Sequence, residues 1–222
     1  MRTSLMVLCL LLPCAAVAQE KRYPFEPIPP QQSGRSTIQP IEKSTKPVTS
    51  DLEDVFNSLN TQLGTVEQLS GQLKGLSTST PENMQTQIAG AAKVLGDLVD
   101  KLAEGGELSN QLAAVRSAAQ VHRKRIDEVP KEGMTEQDRT SLMATWDKII
   151  TDADRLATKI TDSRERVLNS LKGLRMRQAA MGEYILAGRF QAALNSIRDW
   201  ASELDSAISR LKANINMNRP GS

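Results

Sequence analysis

The chain is poor in the residues that build thick cores and reactive sites. Aromatic side chains make up 3% of its 222 residues. Large rings supply much of the buried area in a globular core. Their scarcity points to a thin core that Leu, Ile, Val and Ala can fill. Histidine occurs once, at His122, and cysteine only at Cys9 and Cys14. Both cysteines precede residue 19, so removal of a leader there would exclude disulfides, thiol nucleophiles and cysteine-ligated metals. No Asn-x-Ser/Thr sequon is present. Neither charge sign dominates: 28 Lys and Arg against 26 Asp and Glu give a formal +2. That balance provides no electrostatic reason to expect nucleic acid or an anionic membrane as partner.

The first residues read as a secretory signal. Arg2 is the positive n-region, Leu5 to Leu12 the apolar stretch, and Ala16-Val17-Ala18 a small-x-small cleavage site. The apolar stretch is too short to span a bilayer comfortably. The expected destination is outside the cytoplasm, periplasmic or secreted after cleavage near Ala18. The alternatives are an uncleaved anchor, or lipidation at Cys14, which Pro13 fits poorly.

Residues 19–50 hold six of the ten prolines. Proline fixes φ and lacks a backbone donor, so this segment is expected to be a disordered or polyproline-like tether. The run containing Pro24, Pro27, Pro29 and Pro30 is a candidate docking peptide, set against the plainer reading of a spacer, which short proline motifs more often are.

From Ser50 the texture becomes helical. Apolar positions recur in steps of four and three: Leu52, Phe56, Leu59, Leu63, Val66, then a polar Ser70, then Leu73. Thr80-Pro81 starts a second stripe, Met84 to Leu102, which Gly105-Gly106 ends. A third runs from Leu108 through His122 to Val129, before Pro130. Thr135, with Asp138, caps a long fourth stripe from Leu142 through Trp146 to Val167. A fifth runs from Phe190 through Trp200 to Ile215. The expected helices are about 51–76, 81–104, 107–129, 136–181 and 189–216, with a frayed tail at 218–222. The fold class is all-α: an elongated antiparallel bundle with coiled-coil-like heptads, preceded by the proline-rich segment.

No motif for chemistry emerges. A Ser-His-Asp triad would depend wholly on His122. Phosphate-cradling glycine loops and Glu-x-x-His metal spacings are absent. No catalytic, cofactor or metal residue is assigned, and the chain is not expected to be an enzyme. Trp146 and Trp200 sit on stripe positions and read as core rings. The run Arg164, Lys172, Arg175, Arg177 is a candidate interaction face, set against the plainer reading of a solvated helix side.

The last hairpin, Gly188-Arg189-Phe190-Gln191-Ala192-Ala193 and then Trp200 to Leu211, loosely resembles the terminal helices of the steroid-receptor RNA-activator domain. The resemblance covers a small part of the chain, the export signal departs from that family, and no site is carried over. The function expected is that of an exported structural or interaction protein: a scaffold, adaptor or chaperone of an envelope or secreted component. A protein partner, a second copy or a membrane surface fits that role. The alternative is an amphipathic lipid-binding protein.

Overall fold

The computed structural model describes residues 38–76, 80–217 and 219. The expected signal at 1–18, the tether up to residue 37 and the docking run Pro24, Pro27, Pro29 and Pro30 lie outside these residues, as does most of the tail. Five α-helices follow in order: α1 Ile38–Lys74, α2 Pro81–Lys101, α3 Glu107–Glu128, α4 Glu136–Leu186 and α5 Phe190–Asn216. A single 3-10 turn, Lys131–Gly133, separates α3 from α4. The described residues contain no strand.

The start of α1 corrects the expected boundary at Ser50. The helix begins at Ile38 and carries Pro47 within it. An interior proline removes one backbone hydrogen bond and costs about 3 kcal/mol. Val48 offsets part of that, because it is fully buried and extends the apolar stripe one turn upstream of Leu52. Residues 38–50 are therefore helical, and Val48 among them packs into the core.

The other helix ends follow local chemistry. The Thr80 hydroxyl accepts from the Asn83 amide and the Thr135 hydroxyl from the Asp138 amide, each satisfying one orphan donor of a first turn. Gly106, just before α3, sits so close to the carbonyls of Asp100 and Lys101 that a Cβ would lie 2.6 Å from each. At α4 the helix outruns its expected end near Met181 and stops at Leu186. There Arg189 N–H donates to Tyr184 C=O (2.7 Å) and Gly188 N–H to Ile185 C=O (3.0 Å). Gly188 has φ 69°, the left-handed residue that this double-bonded helix end requires.

Cross-helix pairs fix the directions. Arg123 and Arg116 of α3 bond Asp147 and Asp154 of α4, so the two run antiparallel, with α3 along the first half of α4. Lys159 and Arg177 of α4 face Asn214 and Glu203 of α5, which places α5 antiparallel along the second half. Glu67 and Lys74 of α1 pair with Lys212 and Asp205 of α5, so α1 runs alongside α4 in the same direction. α2 packs on α4 and α1. With 51 residues at roughly 1.5 Å each, α4 is about 75 Å long and forms the axis of an elongated bundle.

The core is the stripe read from the sequence, extended. Buried residues of the α4 stripe run Leu142, Trp146, Ile149, Ala153, Leu156, Ile160, Ser163, Val167, Leu171, Leu174 and, after one lapse, Met181, with Asp152 buried beside Ala153. Two buried serines interrupt the apolar seam and both are satisfied. Ser70 donates to Glu67 C=O (2.8 Å) and lies 3.1 Å from Asp205 Oδ1. Ser163 donates to Lys159 C=O (2.6 Å).

Candidate interaction surface

Of the sequence-derived cations on α4, Arg164, Lys172 and Arg175 fall on one side of the helix, and Arg177 does not. A helix turns about 100° per residue, so Lys172 and Arg175, three apart, share a side, and both are exposed. Arg177, two residues on, points toward α5. Its Nη1 donates to Gly173 C=O (3.4 Å), and its Nη2 stands 3.8 Å from Glu203. Arg164 is half-buried, and its Nε has no hydrogen-bond partner among the described residues. Arg164 is thus partly covered and Arg177 turned to α5, while Lys172 and Arg175 are exposed and free of ion pairs with described residues.

What the cationic run does mark is the end of the α4–α5 hairpin. Between Glu165 and Glu183, α4 has no acidic residue. Three large apolar side chains emerge there: Met176 is 69% exposed, Tyr184 37% and Leu186 90%. Met176, Ala180 and Tyr184 are spaced four apart and line one side of the helix. With Ala193, Ser196 and Ile197 of α5 they border a shallow groove of about 250 Å³, with Arg177 at its rim. Gly173 allows the two helices to close below it. A Cβ there would lie 3.3 Å from Nε1 of Trp200, whose ring is buried.

Sequence reasoning overlooked these apolar residues, because it sought those that keep the core period. Leu186 falls off that period, beside the reversal at Gly188. The signal that could have found the site is local charge: from Arg166 to Ile197 the only acidic residue is Glu183, against Arg166, Lys172, Arg175, Arg177 and Arg189. The overall charge of +2 conceals this asymmetry.

A second groove, of about 710 Å³, lies between α1 and α2 and is bordered by Leu69, Gln72, Leu73, Thr86, Gln87 and Val94 among others. It holds no ionisable side chain. Among the described residues no three His, Cys, Asp or Glu side chains gather as a metal would need. No described helix is long and apolar enough to cross a membrane. His122, half-buried, stacks on Trp146. Compared with family models, curated proteins and solved structures, the chain matches none of them.

Proposed function

We propose that this chain is an exported interaction protein, a rigid helical spacer that engages another component through the end of its α4–α5 hairpin. The observation that carries the reading is the exposure of Met176 and Leu186, at 69% and 90%, in a stretch where cations far outnumber acids. Exposed apolar side chains clustered among polar ones mark interaction sites more often than chance surface. A 51-residue helix spanning the bundle supports a spacing role, and the secretory-like residues 1–18 support export.

The test is affinity capture from the envelope or secreted fraction of the producing cells, using three forms: the native chain, one lacking residues 19–37, and a Met176→Asp/Leu186→Asp double variant. The deletion stops at 37 because residues 38–50 belong to α1. The reading expects a specific partner that survives the deletion and is lost in the double variant. A partner lost only with residues 19–37 would move recognition to the segment of Pro24 to Pro30 and count against the hairpin end.

A further inference from the structure

We propose that the hairpin end docks on an anionic phospholipid surface, with Leu186 and Met176 entering the headgroup layer and Lys172, Arg175 and Arg189 meeting lipid phosphates. This rests on the hairpin end being the working surface and names what that surface meets.

Three observations favour a lipid face over other occupants. The first is charge. Lys172, Arg175 and Arg189 are exposed and make no ion pair with a described residue, and Glu183 is the single acid from Arg166 to Ile197. A second copy docked by the same end would bring the same positive field and be repelled. An anionic bilayer attracts juxtaposed cations and does so less at high salt. The second is shape. The groove between α4 and α5 is already floored, since Met181, Ala193 and Ile197 are buried. A partner helix laid in it would find little new apolar area. The apolar area on offer belongs to Leu186 and Met176, which protrude. The third is position. Leu186 lies on the last turn of α4, next to the tight reversal at Gly188, so it can enter a flat surface without the bundle opening. Cations interleaved with protruding apolar side chains are the composition of interfacial helices.

The experiment is vesicle flotation of the full chain with phosphatidylcholine alone and with phosphatidylcholine plus phosphatidylglycerol. The native chain is compared with Leu186→Asp, Arg175→Glu/Arg189→Glu and, as control, Lys93→Glu on the exposed side of α2. All forms share one N-terminus, so any contribution of residues 1–18 is common to them. Each side chain changed is solvent-exposed, and a thermal melt shows that each variant is folded. The proposal expects binding to the anionic vesicles alone, weakening as salt is raised. Each charge removed should weaken binding about fivefold, so the double reversal should weaken it by well over tenfold. Leu186→Asp should weaken it by tenfold or more, and Lys93→Glu should leave it unchanged. Absence of binding to anionic vesicles overturns the lipid assignment, as does binding that all variants retain. A protein that the hairpin end captures without lipid would keep the interaction reading and identify an acidic protein in place of the bilayer.

Discussion

The imidazole of His122 lies flat on the indole of Trp146, with ring centroids 4.7 Å apart and planes 13° from parallel. The stack joins α3 to the first half of α4. Trp146 is fully buried and its indole N–H has no hydrogen-bond partner among the described residues. Burial, and secondarily the positive charge of Arg125, lower the His122 pKa below its ordinary value of 6.5. The nearby charges Arg123, Asp127 and Asp147 are engaged with one another, at 3.6 Å and 2.5 Å from the guanidinium. The folded state therefore holds a neutral ring where the unfolded chain would bind a proton. The stability this contributes is whole above the unfolded pKa and falls as pH drops through it. The native chain is expected to lose melting temperature between about pH 7 and pH 5 more steeply than His122→Gln. Equal slopes would show that the ring takes up its proton in the fold over the same pH range as in the unfolded chain.

Arg139 closes the far side of the same junction. Its guanidinium reaches across from the first turn of α4 and donates to the carbonyls of Ile126 and Val129, at the end of α3. Carbonyls at a helix terminus lack the amides of a following turn; that of Ile126 also accepts from the Val129 N–H (3.3 Å). Arg139→Met should cost about 1.5–3 kcal/mol in chemical denaturation, the range for hydrogen bonds to a charged group. Arg139→Lys should recover only part, because an ammonium lacks the planar fork. A loss below about 0.5 kcal/mol, the size of an ordinary surface change, would make the contact incidental.

Two ion pairs repeat along α1 and α5 seven residues apart: Glu67 with Lys212 and Lys74 with Asp205, each at 2.5 Å. All four side chains are partly solvated, so each pair contributes well under 1 kcal/mol once screening is included. Their greater effect is on register. Lys74 and then Ser70, by hydrogen bonding, hold the Asp205 carboxyl below its usual range, against some burial that raises it. That contribution is present above the unfolded carboxyl pKa and is lost as pH falls through the folded one. Lys74→Met should raise the Asp205 pKa in a carboxyl NMR titration. Exchange of the partners, Glu67→Lys with Lys212→Glu, should restore most of what either change alone loses. Additive losses would mean the pair is not coupled.

Glycines separate cleanly by environment. A Cβ on Gly96, inside α2, would meet nothing within 4 Å, whereas one on Gly106 would meet three carbonyls within 2.9 Å. Gly96→Ala should stabilise by about 0.5–1 kcal/mol through helix propensity and reduced chain entropy. Gly106→Ala should destabilise by more than that, since the backbone must shift. Thermal melts of the two variants that moved in the same direction would contradict the placement of the α2–α3 turn.

Much of the bundle was legible in the sequence, for a physical reason. A long helix that buries one face must place apolar residues in steps of three and four, and the stripes from Leu52 to Ile215 obey that rule. The ends were legible where a single residue decides them, as at Thr80, Thr135 and Gly105-Gly106. The start of α1 was not. Pro40 and Pro47 carry a local cost that is visible in sequence, while the compensating burial of Val48 is tertiary. Arg139 was hidden because capping across a turn has no fixed spacing. The hairpin end was hidden because Leu186 and Met176 obey no core period. The α1 boundary has its own check: removal of residues 1–37 should leave the melting temperature unchanged, while removal through residue 50 should cost about 1.5–3 kcal/mol or more by exposing what Val48 covers.

The most direct test of the hairpin end as the working surface is site-specific photo-crosslinking in the producing cells. A photoreactive side chain is placed in turn at position 186, at 176 and, as an equally solvent-facing control, at Ala144 on the first half of α4. The account predicts adducts at 186 and 176, to lipid or to a discrete protein, and background labelling at 144. Background labelling at all three positions, or equal labelling at 144, would contradict it.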